Sequence, residues 1–252
     1  MLINHTDIND EEKWVDIQDL GVELHSKTLP ESPNISVVDT DNVNKRKIHL
    51  DTKFTHRDME VQLAVVRHSQ EELREVLTVL SWMVKGKFNL IFKDNKNQLY
   101  KDVLLTSRIE VEAVTSTVYI LSFNMTSYDP FRYNTSMNST EVTEVTEAVS
   151  VDIVNQGNFT AKPVVRLTGS AKQINISTNN KTLSYVNLEP GEEIIVDNDK
   201  YTIVRRANGV DQNALANWKD NFIELHSGTN ELTITGDEMN ANVTVEFRDT
   251  FL

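Results

Sequence analysis

Residues 117–126 read TVYILSFNMT. Tyr119, Leu121, Phe123 and Met125 alternate there with Ile120, Ser122, Asn124 and Thr126. Successive side chains of a strand point to opposite faces, so this period of two places the four large side chains on one buried face. Just upstream, Phe88, Leu90 and Phe92 share a face in the same way. The polar run Asp94-Asn95-Lys96-Asn97-Gln98 then reads as a turn, and Leu99–Thr106 as the returning arm of a hairpin. This half of the chain is therefore read around a sheet.

One segment has a helical period instead. Ser69-Gln70-Glu71-Glu72 is a capping box, in which the Ser69 hydroxyl accepts from the Glu72 amide and Glu72 reaches back. Leu73, Val76, Leu77, Leu80 and Val84 follow as one apolar stripe. Gly86 is read as the stop, because glycine takes the left-handed conformation beyond a helix end without strain. A helix of about 16 residues would span roughly 24 Å, with its stripe across the sheet.

The texture changes after Asp129-Pro130-Phe131. Residues 134–146 are rich in Asn, Ser, Thr and Glu and read as a linker running into a strand. Short strands with frequent turns follow. Val149, Val151 and Ile153 alternate, and Pro163–Thr168, Gln173–Ser177 and Leu183–Leu188 come next. Pro190-Gly191 marks a turn, and Asp197-Asn198-Asp199-Lys200 reads as a hairpin loop between Ile194–Val196 and Tyr201–Val204. Phe222–His226, Glu231–Thr235 and Val243–Phe247 finish the chain. Regular short strands of this kind argue for a β-sandwich. The expected fold is mainly β: an α+β N-terminal domain over residues 1–133 and an all-β domain over residues 134–252.

Composition removes several classes of function. The chain has 252 residues, enough for real cores, and a mean hydropathy of −0.38. Its 25 basic and 38 acidic residues give a net charge of −13, which repels bare nucleic acid and anionic membranes. With no cysteine there are no disulfides, thiolate metal sites or cysteine nucleophile. The longest largely apolar stretch, Leu77–Val84, is broken by Thr78 and Ser81 and is far short of the ~20 residues of a membrane span. MLINHTDINDEEKW opens with acids rather than the bases and apolar core of a signal peptide, so a cytoplasmic protein without N-glycans is expected, despite triplets such as Asn134-Thr135-Ser136.

No motif for chemistry emerges. The chain has no nucleophile elbow, phosphate loop, zinc helix or dinucleotide fingerprint. His5, His25, His49, His56, His68 and His226 are scattered without ligand spacing. Asp197-Asn198-Asp199 lacks the glycine and glutamate of a calcium loop and reads as a turn. Glu110 and Glu112 share one face of a strand and read as solvated rather than as a glycosidase pair. Trp82, beside the helix stripe, reads as core. Trp218, in the polar segment 213–221, is read as packing, with stacking on a sugar ring as the alternative. The expected catalytic, metal and cofactor residues are accordingly none.

Several local patterns in order carry more. SWMVKGKFNLIF (81–92) leads from the helix into a strand, and Leu99-Tyr100-Lys101 opens the returning one. LSFNMTSYDPFRY (121–133) closes the first half, and NQGNFTAKPVVRLTGSA (155–171) opens the second with Gly157, Asn158 and Pro163. EEIIVDNDKYTIVRRANG (192–209), FIELHSGTNELTI (222–234) with Gly228 and Asn230, and VEFRDTFL (245–252) follow. This order resembles the distal tail proteins (Dit) of siphophages that infect Gram-positive bacteria, from about Trp14 to the end and more weakly across Glu31–Lys53.

The resemblance implies an N-terminal β-sandwich with one helix that joins six copies into a ring, and a galectin-like C-terminal β-sandwich. It implies a structural hub at the virion tail tip, assembled in the host cytoplasm and not an enzyme. The implied partners are the chain itself as a homohexamer, the tail tube protein, the tape measure protein and the tail-associated tip (lysin or fibre) protein. In some relatives a receptor-binding protein is added. DNA would pass the ring without stable binding, and an acidic channel wall would help it do so. The alternative is a carbohydrate-binding module contacting the host cell wall.

Overall fold

The computed structural model describes residues 1–6, 12–41 and 47–252. The chain divides into two units, Met1–Tyr133 with Leu252, and Asn134–Phe251. Strands dominate both, and Gln70–Met83 is the α-helix among the described residues.

In the N-terminal unit the antiparallel sheet runs in the order Glu12–Asp16, Leu2–Thr6, Phe88–Ile91, Gln98–Leu105, Val118–Ser127, Arg57–Val66, Val22–Thr28. The alternation of residues 117–126 does what its period requires: Tyr119, Leu121, Phe123 and Met125 are all buried. Their partner strand matches them, Met59 facing Met125, Val61 facing Phe123 and Leu63 facing Leu121. Each such side chain contributes about 1.5–3 kcal/mol through burial. The hairpin of Phe88–Ile91 with Gln98–Leu105 also forms, with a bulge between Phe88 and Leu90. The strands Ile35–Asp41 and Lys47–Phe54 form a separate two-stranded ladder.

The helix begins as its sequence requires, with the Glu72 amide donating to Ser69 Oγ at 3.1 Å. Glu72 reaches back one residue further than the capping box expects, accepting from the His68 amide at 3.1 Å. The helix stops earlier than expected. Met83 is its last residue, Val84 is the C-cap, and Gly86, at φ +77°, lies two positions beyond the cap. Leu73, Val76, Leu80 and Met83 form the buried stripe. Trp82 is not core: it is 40% exposed. It follows Leu80 by two residues, about 200° around the helix, and so faces away from the sheet.

The C-terminal unit is a β-sandwich. One sheet runs Asn138–Val145, Asn240–Phe247, Val164–Thr178, Glu192–Asp197, Thr202–Ala207, Val210–Asn213. The other joins Val149–Asn155, Gly228–Asp237, Val164–Thr178, Lys181–Leu188 and Trp218–Asp220. Val164–Thr178 belongs to both. Its first half pairs with Glu192–Asp197 and Asn240–Phe247, and its second half with Lys181–Leu188 and Gly228–Asp237. The expected strands Pro163–Thr168 and Gln173–Ser177 are thus two arms of one bent strand. Gly169, at φ +108°, marks the bend. Residues from both sheets meet in one core that includes Leu167, Ile176, Tyr185, Ile194, Leu232 and Val243.

Two further expectations change. Residues 138–145 of the expected linker are a strand paired with Asn240–Phe247, bulged between Val142 and Val145. Phe222–His226 is not a strand; within it Leu225 makes an isolated bridge to Ala161. This segment is held by that bridge and by side chains instead of a ladder.

Candidate functional site

The residues weighed for chemistry do not converge. Glu110 and Glu112 lie on the fully exposed strand Glu110–Ala113, and Arg108 pairs with Glu110 at 3.0 Å. His25, His68 and His226 are exposed, and the side chains of His5 and His49 lie outside the described residues. Among the described residues no group of three His, Asp or Glu side chains is gathered as a metal would require. In the loop 197–200, Asp197 Oδ1 accepts the amides of Asp199 and Lys200, each at 3.0 Å, which is a turn and not a cation cage.

What does converge is a set of buried polar side chains that tie loops together. Asn155 donates to the carbonyls of Phe159 at 2.8 Å and Leu225 at 3.1 Å, and accepts the Gly157 amide at 3.0 Å. Asn230 accepts the His226 amide at 2.8 Å and donates to the carbonyls of His226 and Gly228, each at 2.9 Å. Asn179 donates to Asn230 at 2.6 Å. Asp249 accepts from the Gln156 amide at 2.9 Å and from Asn134 Nδ2 at 3.2 Å. Asn155, Asn230 and Asp249 are at most 1% exposed. Buried amides this well satisfied fix loop geometry. Asn230 is the asparagine of the Gly228-x-Asn230 motif read in the sequence, and Asn155 stands two residues before the Gly157-Asn158 motif and holds the Gly157 amide.

The Asp-Pro-Phe motif has a similar role in the N-terminal unit. Asp129 accepts the Phe131 amide at 3.0 Å and the Tyr133 hydroxyl at 2.8 Å. The Pro130 carbonyl accepts Arg57 Nε at 3.0 Å, and the Pro30 carbonyl accepts Arg57 Nη1 at 2.8 Å. Arg57 is fully buried, and burial, followed by the nearby Arg132, pushes its pKa below the ordinary guanidinium value.

A charge ladder crosses the first sheet of the C-terminal unit. Glu246 meets Arg166 at 3.0 Å, Arg166 meets Glu193 at 3.1 Å, Glu193 meets Arg206 at 3.2 Å, and Arg206 meets Asp211 at 2.7 Å. Hydrogen bonding, to Glu246 first, raises the Arg166 pKa, and Arg206 holds Asp211 below the usual aspartate range. No sequence pattern announced this ladder, because its partners come from separate strands.

Trp218 is half-buried against the C-terminal core, its ring 4.6 Å from Phe222 and tilted by 32°. The exposed aromatic beside it is Tyr201, whose ring meets Phe222 edge-on at 5.1 Å. In the N-terminal unit an open recess of about 360 Å³ is lined by Thr28, Asp58, Met59, Glu60, Thr106, Asn124 and Met125. Asp58 accepts from Thr126 at 2.8 Å and from Asn34 at 2.9 Å, which holds its carboxyl below the usual range.

Fold and motifs together define a β-rich protein of two units, whose motif residues pin loops. Comparison with known proteins extends this. Residues 156–251 match the family model described as siphovirus-type tail component, C-terminal domain. The whole chain shares the fold of the Dit protein (gp 19.1) of phage SPP1, described as a paradigm of the hub adsorption apparatus of phages infecting Gram-positive bacteria. That match covers 100% of this chain and 99% of the other, at a TM-score of 0.74 and 16% identity. Chains of the phage P2 baseplate in its activated conformation also match, with Ca at TM-score 0.52 and with Sr at 0.51, each 10% identical. They cover 97% of this chain and 97% and 96% of theirs. Among curated proteins no sequence matches. The C-terminal unit thus matches a siphovirus-type tail component domain, and the full-length fold is shared with a phage Dit protein.

Proposed function

We propose that the chain is the hub of a siphophage tail tip. Six copies form a ring through their N-terminal units, and the ring joins the tail tube, with its tape measure protein, to the tail-associated tip protein. DNA passes through the opening, and the hub itself catalyses nothing. The galectin-like C-terminal unit faces outward, where a receptor-binding protein docks in some relatives. The ring is assembled in the host cytoplasm and works at the virion tail tip.

The observation that carries this reading is a fold shared over the whole of both chains with a phage hub protein. Surface chemistry supports it. Val66, Val79, Trp82, Val111 and Val114 are large exposed apolar residues on the N-terminal unit. Exposed apolar residues and strand edges are the material of a head-to-tail contact. The charge of −13 per chain is consistent with a lumen that DNA does not stick to. Light scattering over a concentration series, with electron micrographs of each peak, tests the assembly. A species near six times 28.7 kDa, about 172 kDa, with a central hole is expected. A dilution-resistant dimer or trimer would overturn the hexameric hub.

A further inference from the structure

We propose that Tyr201 and the loop carrying it form a saccharide-contacting platform on the C-terminal unit, suited to a neutral pyranose. Tyr201 is 54% exposed, and its backbone sits at φ +55°. Residues other than glycine are strained in that left-handed region, and they stay there only where the surroundings dictate it. Tyr201 takes it where it closes the hairpin loop between the paired residues Asp197 and Thr202, and a buried asparagine anchors that loop. Asn198, 1% exposed, lies three positions before Tyr201. Its Nδ2 donates to the Pro163 carbonyl at 2.6 Å, and its own amide donates to the same carbonyl at 3.2 Å. Its Oδ1 accepts the Ile223 amide at 2.8 Å. One buried side chain therefore fixes the loop against the segments that carry Lys162 and Phe222.

The result is a preorganised surface. The Tyr201 ring is backed by Phe222, and Phe222 by Trp218. Lys162 Nζ lies 5.1 Å from the Tyr201 ring centroid and 3.3 Å from Asp199. A pyranose has an apolar C–H face and a rim of hydroxyls. The exposed ring suits the face, the ammonium can donate to a hydroxyl, and the carboxylate can accept from one. Lys162 and Asp199 cancel in charge, which favours a neutral sugar over a polyanion. Because the loop is already ordered, little conformational freedom is lost on binding. Trp218 packs against the core, as read from the sequence, and the stacking weighed as its alternative is proposed for Tyr201 instead. None of this depends on the ring.

Saturation-transfer NMR of the full chain with chitotetraose, cellotetraose and maltotetraose tests the proposal. At least one probe is expected to receive saturation at its ring C–H protons. Tyr201→Gly retains the left-handed backbone and removes the ring, so it should keep the melting temperature and weaken binding at least about ten-fold. Asp199→Asn should weaken it by a smaller factor. No saturation transfer to any probe at about 1 mM sugar would overturn the proposal. So would binding unchanged in Tyr201→Gly. A fall in solution mass in Tyr201→Gly with sugar signals intact would assign the patch to contacts between copies instead.

Discussion

A methyl group on Gly157 would stand 2.0 Å from the Thr250 carbonyl oxygen and 2.6 Å from the Thr250 amide nitrogen. Both are backbone atoms, and the same carbonyl already accepts the Phe159 amide at 3.0 Å. Neither strand end can move without breaking pairing, so Gly157→Ala should destabilise the C-terminal unit by about 3 kcal/mol, read from its urea midpoint. Asn230 is limiting for a different reason. Truncation to Ala leaves the His226 amide and two carbonyls short of partners inside the protein, which costs about 2–3 kcal/mol. Amide exchange should quicken at His226 in that variant. Asp58 is the residue-scale test of pH. Hydrogen bonds, from Thr126 first, lower its pKa in the fold below the ordinary 3.8. Its contribution is therefore complete above pH 3.8 and is lost as pH falls through the lower folded value. The side chain is 64% exposed, so the effect is small, under about 1 kcal/mol. Urea titrations at neutral and acid pH should show a flatter acid limb for Asp58→Asn than for the unaltered chain.

At the scale of elements, the bent strand Val164–Thr178 is the member common to both sheets of the sandwich. Gly169 makes the bend possible twice over. Its φ is +108°, and a Cβ there would meet the Asn240 carbonyl oxygen at 2.3 Å. Gly169→Ala should therefore disrupt both sheets together, seen as a single lowered and still cooperative unfolding transition. This element also shows what the sequence could and could not reveal. Strands with period two and large side chains, such as Val118–Ser127, were legible because the pattern is local. The helix start was legible because Ser69 and Glu72 are neighbours. Pro163–Thr168 and Gln173–Ser177 read as two strands, since nothing local distinguishes a break between strands from a bend in a continuing one. Phe222–His226 has strand-forming residues, but its hydrogen bonds go to Asn155, Ala161 and Asn198, far away in the chain, and to Asn230 four residues beyond its end. The ladder from Glu246 to Asp211 was illegible for the same reason.

At the scale of the whole molecule, the two units carry separate cores: one is built from residues between Met1 and Met125 and the other from residues between Val145 and Phe247. The family model covers residues 156–251, so it omits the strands Asn138–Val145 and Val149–Asn155. Those strands pair with Asn240–Phe247 and Gly228–Asp237, whose edges would otherwise be bare. A fragment of residues 134–252 should consequently fold alone and unfold cooperatively, whereas one of residues 156–252 should aggregate. The same dissection locates the proposed ring. If the N-terminal unit forms it, light scattering should find the full chain and residues 1–133 in the same oligomeric state, and residues 134–252 as a monomer. The exposed apolar side chains of the N-terminal unit, Trp82 and Val111 among them, are then covered by a neighbour. Trp82→Glu should dissociate the ring without lowering the stability of the unit, because that side chain points away from its core. A ring that survives Trp82→Glu would move the contact to another face of the same unit. A ring formed by residues 134–252 alone would instead assign assembly to the sandwich.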